Sequence, residues 1–178
     1  MGFRRDNVLS TGGSTSPDMK ITIGVISDTH LHGVTEAFKE LYGRFLADVD
    51  VILHAGDFTS EDVVAFLQKK PFHGVHGNMD PIEIKGQLPI KKVIELGTYR
   101  VGLIHGAGSK SGLEERVVGE FQNVDVIVFG HSHRPENRRK DGLVLFNPGT
   151  AAGYASSGHH TLGILTLDDD IHGEIIRL

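Results

Sequence analysis

From Lys20 onward, short apolar runs alternate with segments whose apolar residues recur at helical spacing. Residues 21–27 form a β-branched run that stops at the polar Asp28-Thr29-His30 and reads as a buried strand. Residues 35–47 place Phe38, Leu41, Tyr42, Phe45 and Leu46 on one helical face, and 49–53 is again a strand, ending at His54-Ala55-Gly56-Asp57. Val63, Val64 and Leu67 follow Ser60 at helical spacing, with Asp62 in the first turn, so Ser60 is the expected N-cap. A third strand is expected over 72–75. The stretch 77–89 carries two prolines and several polar residues and reads as a long loop. Beyond it the pattern predicts a hairpin of 91–96 with 100–105 through Gly97-Thr98, a helix over 113–121 and a strand over 124–129. A second hairpin, 136–140 with 143–146 around Asp141-Gly142, precedes a last strand pair, 161–167 and 171–178.

The early β-α-β-α-β order argues for a mainly parallel sheet, and the later hairpins for an antiparallel or mixed one. Two packed sheets flanked by helices, in the α/β class, satisfy both. In such architectures ligands collect beyond the carboxyl ends of the strands. Seven residues with metal-binding side chains occupy five short patches where an apolar run breaks: Asp28-Thr29-His30, Gly56-Asp57, Gly77-Asn78, His105-Gly106 and Gly130-His131-Ser132-His133. Four of the five fall at a predicted strand end, so they are able to converge.

A carboxylate and an imidazole one residue apart, as in Asp28 and His30, can both turn inward where the backbone bends sharply. His131 and His133 repeat the spacing, so each pair can chelate one ion. Asp57, solitary after Gly56, suits a carboxylate bridging two ions about 3.5 to 4 Å apart, and Asn78 adds an amide oxygen without adding charge. The chain has no cysteine, so imidazole, carboxylate, amide and water are the available ligands. That mixture favours manganese, iron, zinc or nickel over calcium. A lone D-x-H or H-x-H is usually only a strand end, and the inference rests on the ordered set.

Composition narrows the picture further. With 178 residues, 39% hydrophobic and 23% charged, residues 19–178 are expected to form a single globular domain. Residues 1–18, rich in Gly, Ser, Thr and charge, read as a disordered leader or an appended remnant. A net charge of -5 with no basic block offers nucleic acid no electrostatic footprint. No apolar run approaches the roughly 18 to 20 residues of a membrane span. The expectation is a cytoplasmic protein that binds a small molecule, with self-association into a homo-oligomer left open.

In their order the patches resemble the calcineurin-like metallophosphoesterases over roughly residues 19–178, and in particular the compact phosphodiesterases of bacteria and archaea. The metallophosphoesterase-like subunit of the retromer coat is a relative of similar size. The resemblance implies an αββα sandwich with two divalent transition-metal ions, manganese first and nickel, iron or zinc as alternatives. Asp28, His30, Asp57 and His133 would hold the first ion, and Asp57, Asn78, His105 and His131 the second, with Asp57 bridging. The implied reaction is in-line attack on phosphorus by a hydroxide bridging the metals. Asp57, Asn78 and His131 then count as catalytic as well as metal-binding.

One departure matters. Many members carry a histidine directly after the G-N motif, where this chain has Met79. A thioether cannot donate a proton, which favours phosphodiesters or aryl esters over unactivated phosphomonoesters. Asp80 is the neighbouring candidate for an acid or a supporting role. The alternative function is a non-catalytic protein-binding scaffold of the retromer-subunit type, and a third reading makes the metals purely structural. Of the remaining histidines, His54 and His76 are expected to pack or hydrogen-bond near the site, His32 and His159-His160 to lie in loops, and His73 and His172 to be ordinary strand residues. The runs Lys91-Lys92 and Arg138-Arg139-Lys140 read as solvated edge-strand residues.

Overall fold

The computed structural model describes residues 20–153 and 158–178, so the expected leader lies outside the described residues. The chain runs through β1 (Ile21–Ile26), α1 (Glu36–Leu41), β2 (Val51–His54), α2 (Glu61–Leu67), β3 (Phe72–Gly74) and α3 (Ile82–Gln87). It continues through β4 (Lys91–Leu96), β5 (Tyr99–Ile104), α4 (Leu113–Gly119), β6 (Val126–Phe129), β7 (Glu136–Lys140), β8 (Leu143–Asn147), β9 (Thr161–Leu167) and β10 (Ile171–Arg177). Two five-stranded sheets result, ordered β10-β9-β1-β2-β3 and β4-β5-β6-β8-β7. β1, β2 and β3 are parallel neighbours, as are β5, β6 and β8, while the outer pairings are antiparallel, so both sheets are mixed.

The central strands are apolar on both faces because each face has something to cover it. Val51 and Leu53 of β2 join Val126 and Val128 of β6 in the core between the sheets. Ile52, one residue out of phase, faces Phe38 of α1 and Val63 and Leu67 of α2 on the outside. Ile127 and Phe129 likewise leave the second sheet to meet Leu113 and Val117 of α4. The period of two on each strand thus builds four layers, the expected αββα sandwich. The two basic runs do lie on edge strands, β4 and β7.

Two local expectations need correction, and a third, the Ser60 cap, holds in position without its side-chain bond. The helix over 35–47 is capped by Thr35, whose Oγ1 accepts from Phe38 N at 3.2 Å, but it ends as α1 at Leu41 and widens into a π-helical turn, Tyr42–Leu46. Ser60 stands at the N-cap of α2, yet its side chain makes no capping hydrogen bond. The loop expected over 77–89 contains α3, which buries Ile84 against the outer core. Its prolines bracket the helix instead of breaking it: Pro81 occupies the N-cap, where a missing N–H costs nothing, and Pro89 follows the last turn.

Candidate metal centre

All five polar patches follow the carboxyl ends of parallel strands, β1, β2 and β3 in one sheet and β5 and β6 in the other. The β1–β2 ladder continues past its last strand residue, with Asp28 N donating to Gly56 O at 2.9 Å and His30 N to Asp57 O at 3.1 Å. In the second sheet the β5–β6 pairing likewise runs on, with Gly130 N donating to His105 O at 3.2 Å. Asp28, His30, Asp57, His131 and His133 all have positive φ, between 47° and 66°. This left-handed conformation costs a residue with a Cβ roughly 1 kcal/mol or more. Concentrated in one place, it is the sharp backbone bend that turns alternate side chains of D-x-H and H-x-H toward a common centre.

The glycines of the motifs serve close approach. A Cβ at Gly77 would collide with Asp57 Oδ1, and one at Gly130 with Ser27 Oγ and Asp28 Oδ2.

Two groups of donor atoms each lie within 4.8 Å of one another: Asp28, His30 and His133, and Asp28, Asp57 and His105. His133 Nε2 is 3.1 Å from Asp28 Oδ1, and His30 Nε2 is 3.9 Å from the same oxygen and 3.8 Å from Asp57 Oδ2. His105 Nε2 is 3.3 Å from Asp57 Oδ2 on its other side. Asp57 Oδ2 therefore faces both halves, while its Oδ1 is occupied by the Met79 N–H at 2.8 Å. Asn78 Oδ1 lies 3.2 Å from His105 Nε2 and 3.0 Å from His131 Nδ1, which brings the sixth and seventh residues, Asn78 and His131, into the cluster.

Each imidazole of the second half is turned by a backbone carbonyl on its far nitrogen. His105 Nδ1 donates to Ala55 O at 2.7 Å and His131 Nε2 to Gly108 O at 2.8 Å. In the neutral ring this leaves Nε2 of His105 and Nδ1 of His131 aiming lone pairs at an amide oxygen that itself has only lone pairs. Such a meeting is repulsive unless a cation sits among the atoms or the rings take second protons. His105 shows the latter tendency. Burial lowers its pKa, but its hydrogen bond to Asp57 and the charges of Asp28 and Asp57 outweigh burial and raise it above the ordinary histidine value. Burial raises the Asp57 carboxyl, and hydrogen bonds from His105 and Met79 N more than reverse this, holding it below the ordinary carboxylate range.

Asp28 completes the test of fit. It is fully buried, and its Oδ2 accepts from Ser27 Oγ at 2.5 Å and from His131 N at 3.1 Å. Its Oδ1 has no hydrogen-bond partner although it points at the cluster. A buried carboxylate oxygen left bare costs several kcal/mol unless a cation completes it. The donor set, all nitrogen and oxygen, fits divalent ions.

Asp80 lies beneath the cluster. It is 2% exposed, and its Oδ2 accepts from Asp57 N and Gly77 N while its Oδ1 accepts from Phe58 N and Thr59 N, at 2.7 to 3.0 Å. A carboxylate enclosed by four amides has its oxygens engaged by backbone, and Asp80 ties the loop after β2 to the loop after β3. Sequence reasoning also passed over Asn147 and Thr150. Asn147 Nδ2 donates to Gly130 O and Ser132 Oγ, and Thr150 Oγ1 donates to Asp28 O at 2.7 Å. His54 packs as expected. Stacked on Phe58 at 3.5 Å, it accepts from Gly56 N through Nδ1, and its Nε2 lies 3.2 Å from Thr29 Oγ1. His76 Nδ1 is 3.4 Å from Gly77 O, His73 meets Lys92, and His172 meets Asp168.

A sandwich of this layering, with carboxylates and imidazoles gathered at its strand ends, belongs to the class of metal-dependent hydrolases. The chain is a member of the calcineurin-like phosphoesterase superfamily, whose domain matches residues 19–170. A probable metallophosphoesterase of Methanothermobacter thermautotrophicus is 39% identical over 131 residues, 72% of this chain and 76% of that protein. A phosphodiesterase of Methanocaldococcus jannaschii is 27% identical over 169 residues, 86% of this chain and 98% of the relative. The structure of vacuolar protein sorting 29 from Cryptosporidium parvum matches with a TM-score of 0.70 at 22% identity, covering 90% of this chain and 99% of the other, which speaks for the fold. Among the described residues no helix is long and apolar enough to cross a membrane.

Proposed function

We propose that the protein is a phosphodiesterase that works with two divalent transition-metal ions on a small phosphoester in the cytoplasm. Asp28, His30, Asp57 and His133 would hold one ion and Asp57, Asn78, His105 and His131 the other, with Asp57 shared between them. The observation that carries this reading is the bare, buried Asp28 Oδ1 with His133 Nε2 at 3.1 Å. When bound, such a pair supplies an activated water and neutralises charge on the phosphoryl oxygens.

The chain's own part is to hold and orient. The Met79 amide fixes one oxygen of Asp57, the carbonyls of Ala55 and Gly108 set the faces of His105 and His131, and Asp80 fixes the loops that bring Asp57 and Asn78 together. Met79 itself is 59% exposed beside the site and has no proton to give. Substrates whose leaving oxygen departs without protonation, diesters and aryl esters among them, are therefore favoured.

The test is turnover of bis(p-nitrophenyl) phosphate and of p-nitrophenyl phosphate by metal-stripped protein reloaded separately with manganese, nickel, iron or zinc, with bound metal measured on the same samples. Diester turnover exceeding monoester turnover is the expected result. Bound metal without turnover of either ester would instead support the scaffold reading. Unfolding on chelation, in place of simple loss of turnover, would support structural metals.

A further inference from the structure

A cavity of about 310 Å³ opens on one side of the donor cluster. Asn78 and His105 of the cluster line it, and none of Asp28, His30 and His133 does. Its walls are largely apolar, from Ile90 after α3, Ile104 at the end of β5 and Val117 of α4. Ile90 is 65% exposed at this surface, and Met79, beside Asn78, is 59% exposed. Of the two, Ile90 lines the cavity, where an apolar wall beside a polar centre is what a small-molecule site offers.

The cationic groups around the cavity are not equivalent. Lys91 is spent on Glu120, with contacts at 2.7 Å to Oε2 and 3.0 Å to the backbone oxygen. Arg116 gives its guanidinium to the carbonyls of Ala107, Ser109 and Ser111, which ties the loop after β5 onto α4 and shapes one wall. Lys85 donates to Asn78 O at 3.1 Å and meets no carboxylate among the described residues. Its ammonium keeps donors available at the end of the cavity nearest the donor cluster.

We infer that this cleft seats a flat aromatic ester arm of the substrate, with Lys85 meeting the negative oxygens where that arm joins phosphorus. The inference rests on the phosphoesterase reading above and narrows it to diesters carrying an aryl or nucleobase-like substituent. The volume stands at the lower end of the range for small-molecule sites, enough for a ring system and too little for a large ligand. Apolar walls reward such a ring by removing its surface from water, at about 25 cal/mol per Å². A phosphoryl group held by the donors would lie next to Asn78 and His105, which the cleft also touches. A monoester has no second arm to place, so the cleft supplies a reason for diester preference independent of Met79.

The experiment compares bis(p-nitrophenyl) phosphate with methyl p-nitrophenyl phosphate, which share a leaving group and differ in the other arm. Ala107→Trp fills the cleft from the exposed loop, and Ile90→Ser strips an exposed wall, so neither disturbs the core. The ratio of kcat/KM for the aryl over the methyl diester is expected to fall about tenfold or more in Ala107→Trp and several-fold in Ile90→Ser, relative to the unaltered protein. Comparing ratios cancels the intrinsic reactivity of the two esters. A ratio unchanged within twofold in both variants, with turnover retained, overturns the inference. A second readout needs no activity: in the metal-free protein, millimolar phenylphosphonate should shift the amide resonances of Ile90, Ile104 and Val117 more than methylphosphonate does, and Ala107→Trp should abolish the difference. Equal shifts from the two phosphonates also overturn it. Failure of the wider reading looks different, because neither ester is then cleaved under any metal whatever the phosphonates do.

Discussion

The two halves of the donor cluster are built differently. Around Asp28 the structure is sealed: the carboxylate is fully buried, Ser27 and His131 N hold its outer oxygen, and Thr150 holds its backbone carbonyl. Position there comes from strand pairing, because the β1–β2 ladder runs on through Asp28 and His30. Around Asn78 the structure is open. Asn78 is exposed, His131 is half-buried, and orientation comes from single hydrogen bonds to carbonyls, followed at once by the cleft. A sealed, ladder-fixed half suits holding an ion, and an open half with adjacent apolar volume suits admitting a substrate. Asp57, 3% exposed and within 3.8 Å of an imidazole from each half, joins them.

The strongest way to break this division is at the junction. Asp57→Asn keeps the shape and the Met79 hydrogen bond to Oδ1 but removes the charge that both halves use. Hydrolysis of bis(p-nitrophenyl) phosphate should fall about a thousandfold, some 4 kcal/mol of transition-state stabilisation, with the circular dichroism spectrum unchanged. Retention of full activity would mean that the halves do not act on one phosphoryl group. His131→Ala, on the open side, should also come close to abolishing turnover, yet leave the Asp28 side able to hold metal, which metal analysis of the variant reads directly.

A smaller effect, and of another kind, is expected at Asp80. Asp80→Ala strands four backbone N–H groups in the interior and frees the loop that carries Asn78 from the loop that carries Asp57. Breaking so enclosed a carboxylate should cost about 3 kcal/mol, seen as a lower urea midpoint in the metal-free protein. Asp57→Asn, which leaves those four amides paired, should move that midpoint less. If the two variants exchanged phenotypes, Asp80 facing chemistry and Asp57 holding the fold, the roles argued here would be reversed.

That contrast also shows where reading the chain succeeds and where it stops. The strands and the polar patches at their ends are visible because each patch interrupts an apolar run, and a centre that needs carboxylate and imidazole cannot disguise them. The order of the motifs then suffices to pair Asp28 with His133 across more than a hundred residues. Asp80 is different: its role exists only in four amides, three from the loop after β2 and one from its own loop, and no side-chain pattern announces a backbone acceptor. Helix α3 was hidden by Pro81, Gly86 and Pro89, residues that punctuate loops and equally bracket a short helix whose one buried anchor is Ile84. The π-helical turn at Tyr42–Leu46 keeps the apolar composition of an α-helix and changes only its winding. The cleft belongs to this second category, since Asn78, Ile90, Ile104 and Val117 come from four separate segments.

The finest test sets two buried imidazoles against each other. His54 and His105 lie close together at the end of the strands, and their pKa values move oppositely. Burial, reinforced by the charge of His105, holds His54 well below the ordinary value of 6.5, so the folded protein keeps it neutral. Below about pH 6.5 the unfolded chain takes a proton there that the folded one refuses, and stability is lost as pH falls. For His105 the folded value is raised, so its contribution is fully present below 6.5 and is lost as pH rises through that raised value. In metal-free protein the two partly cancel between pH 7.5 and 5.5. Replacing His54 by Gln should make acidification less harmful by about 1 kcal/mol, and replacing His105 by Gln should make it more harmful by a similar amount, both read from urea midpoints at the two pH values. If His105 is a ligand as proposed, loading with metal should abolish its effect and spare that of His54, because a bound ion would compete with the proton on His105 while His54 keeps both nitrogens engaged with Gly56 and Thr29. Metal that suppressed both effects equally would show that the donor cluster extends to His54, and the boundary between ligand and packing histidine would have to be redrawn.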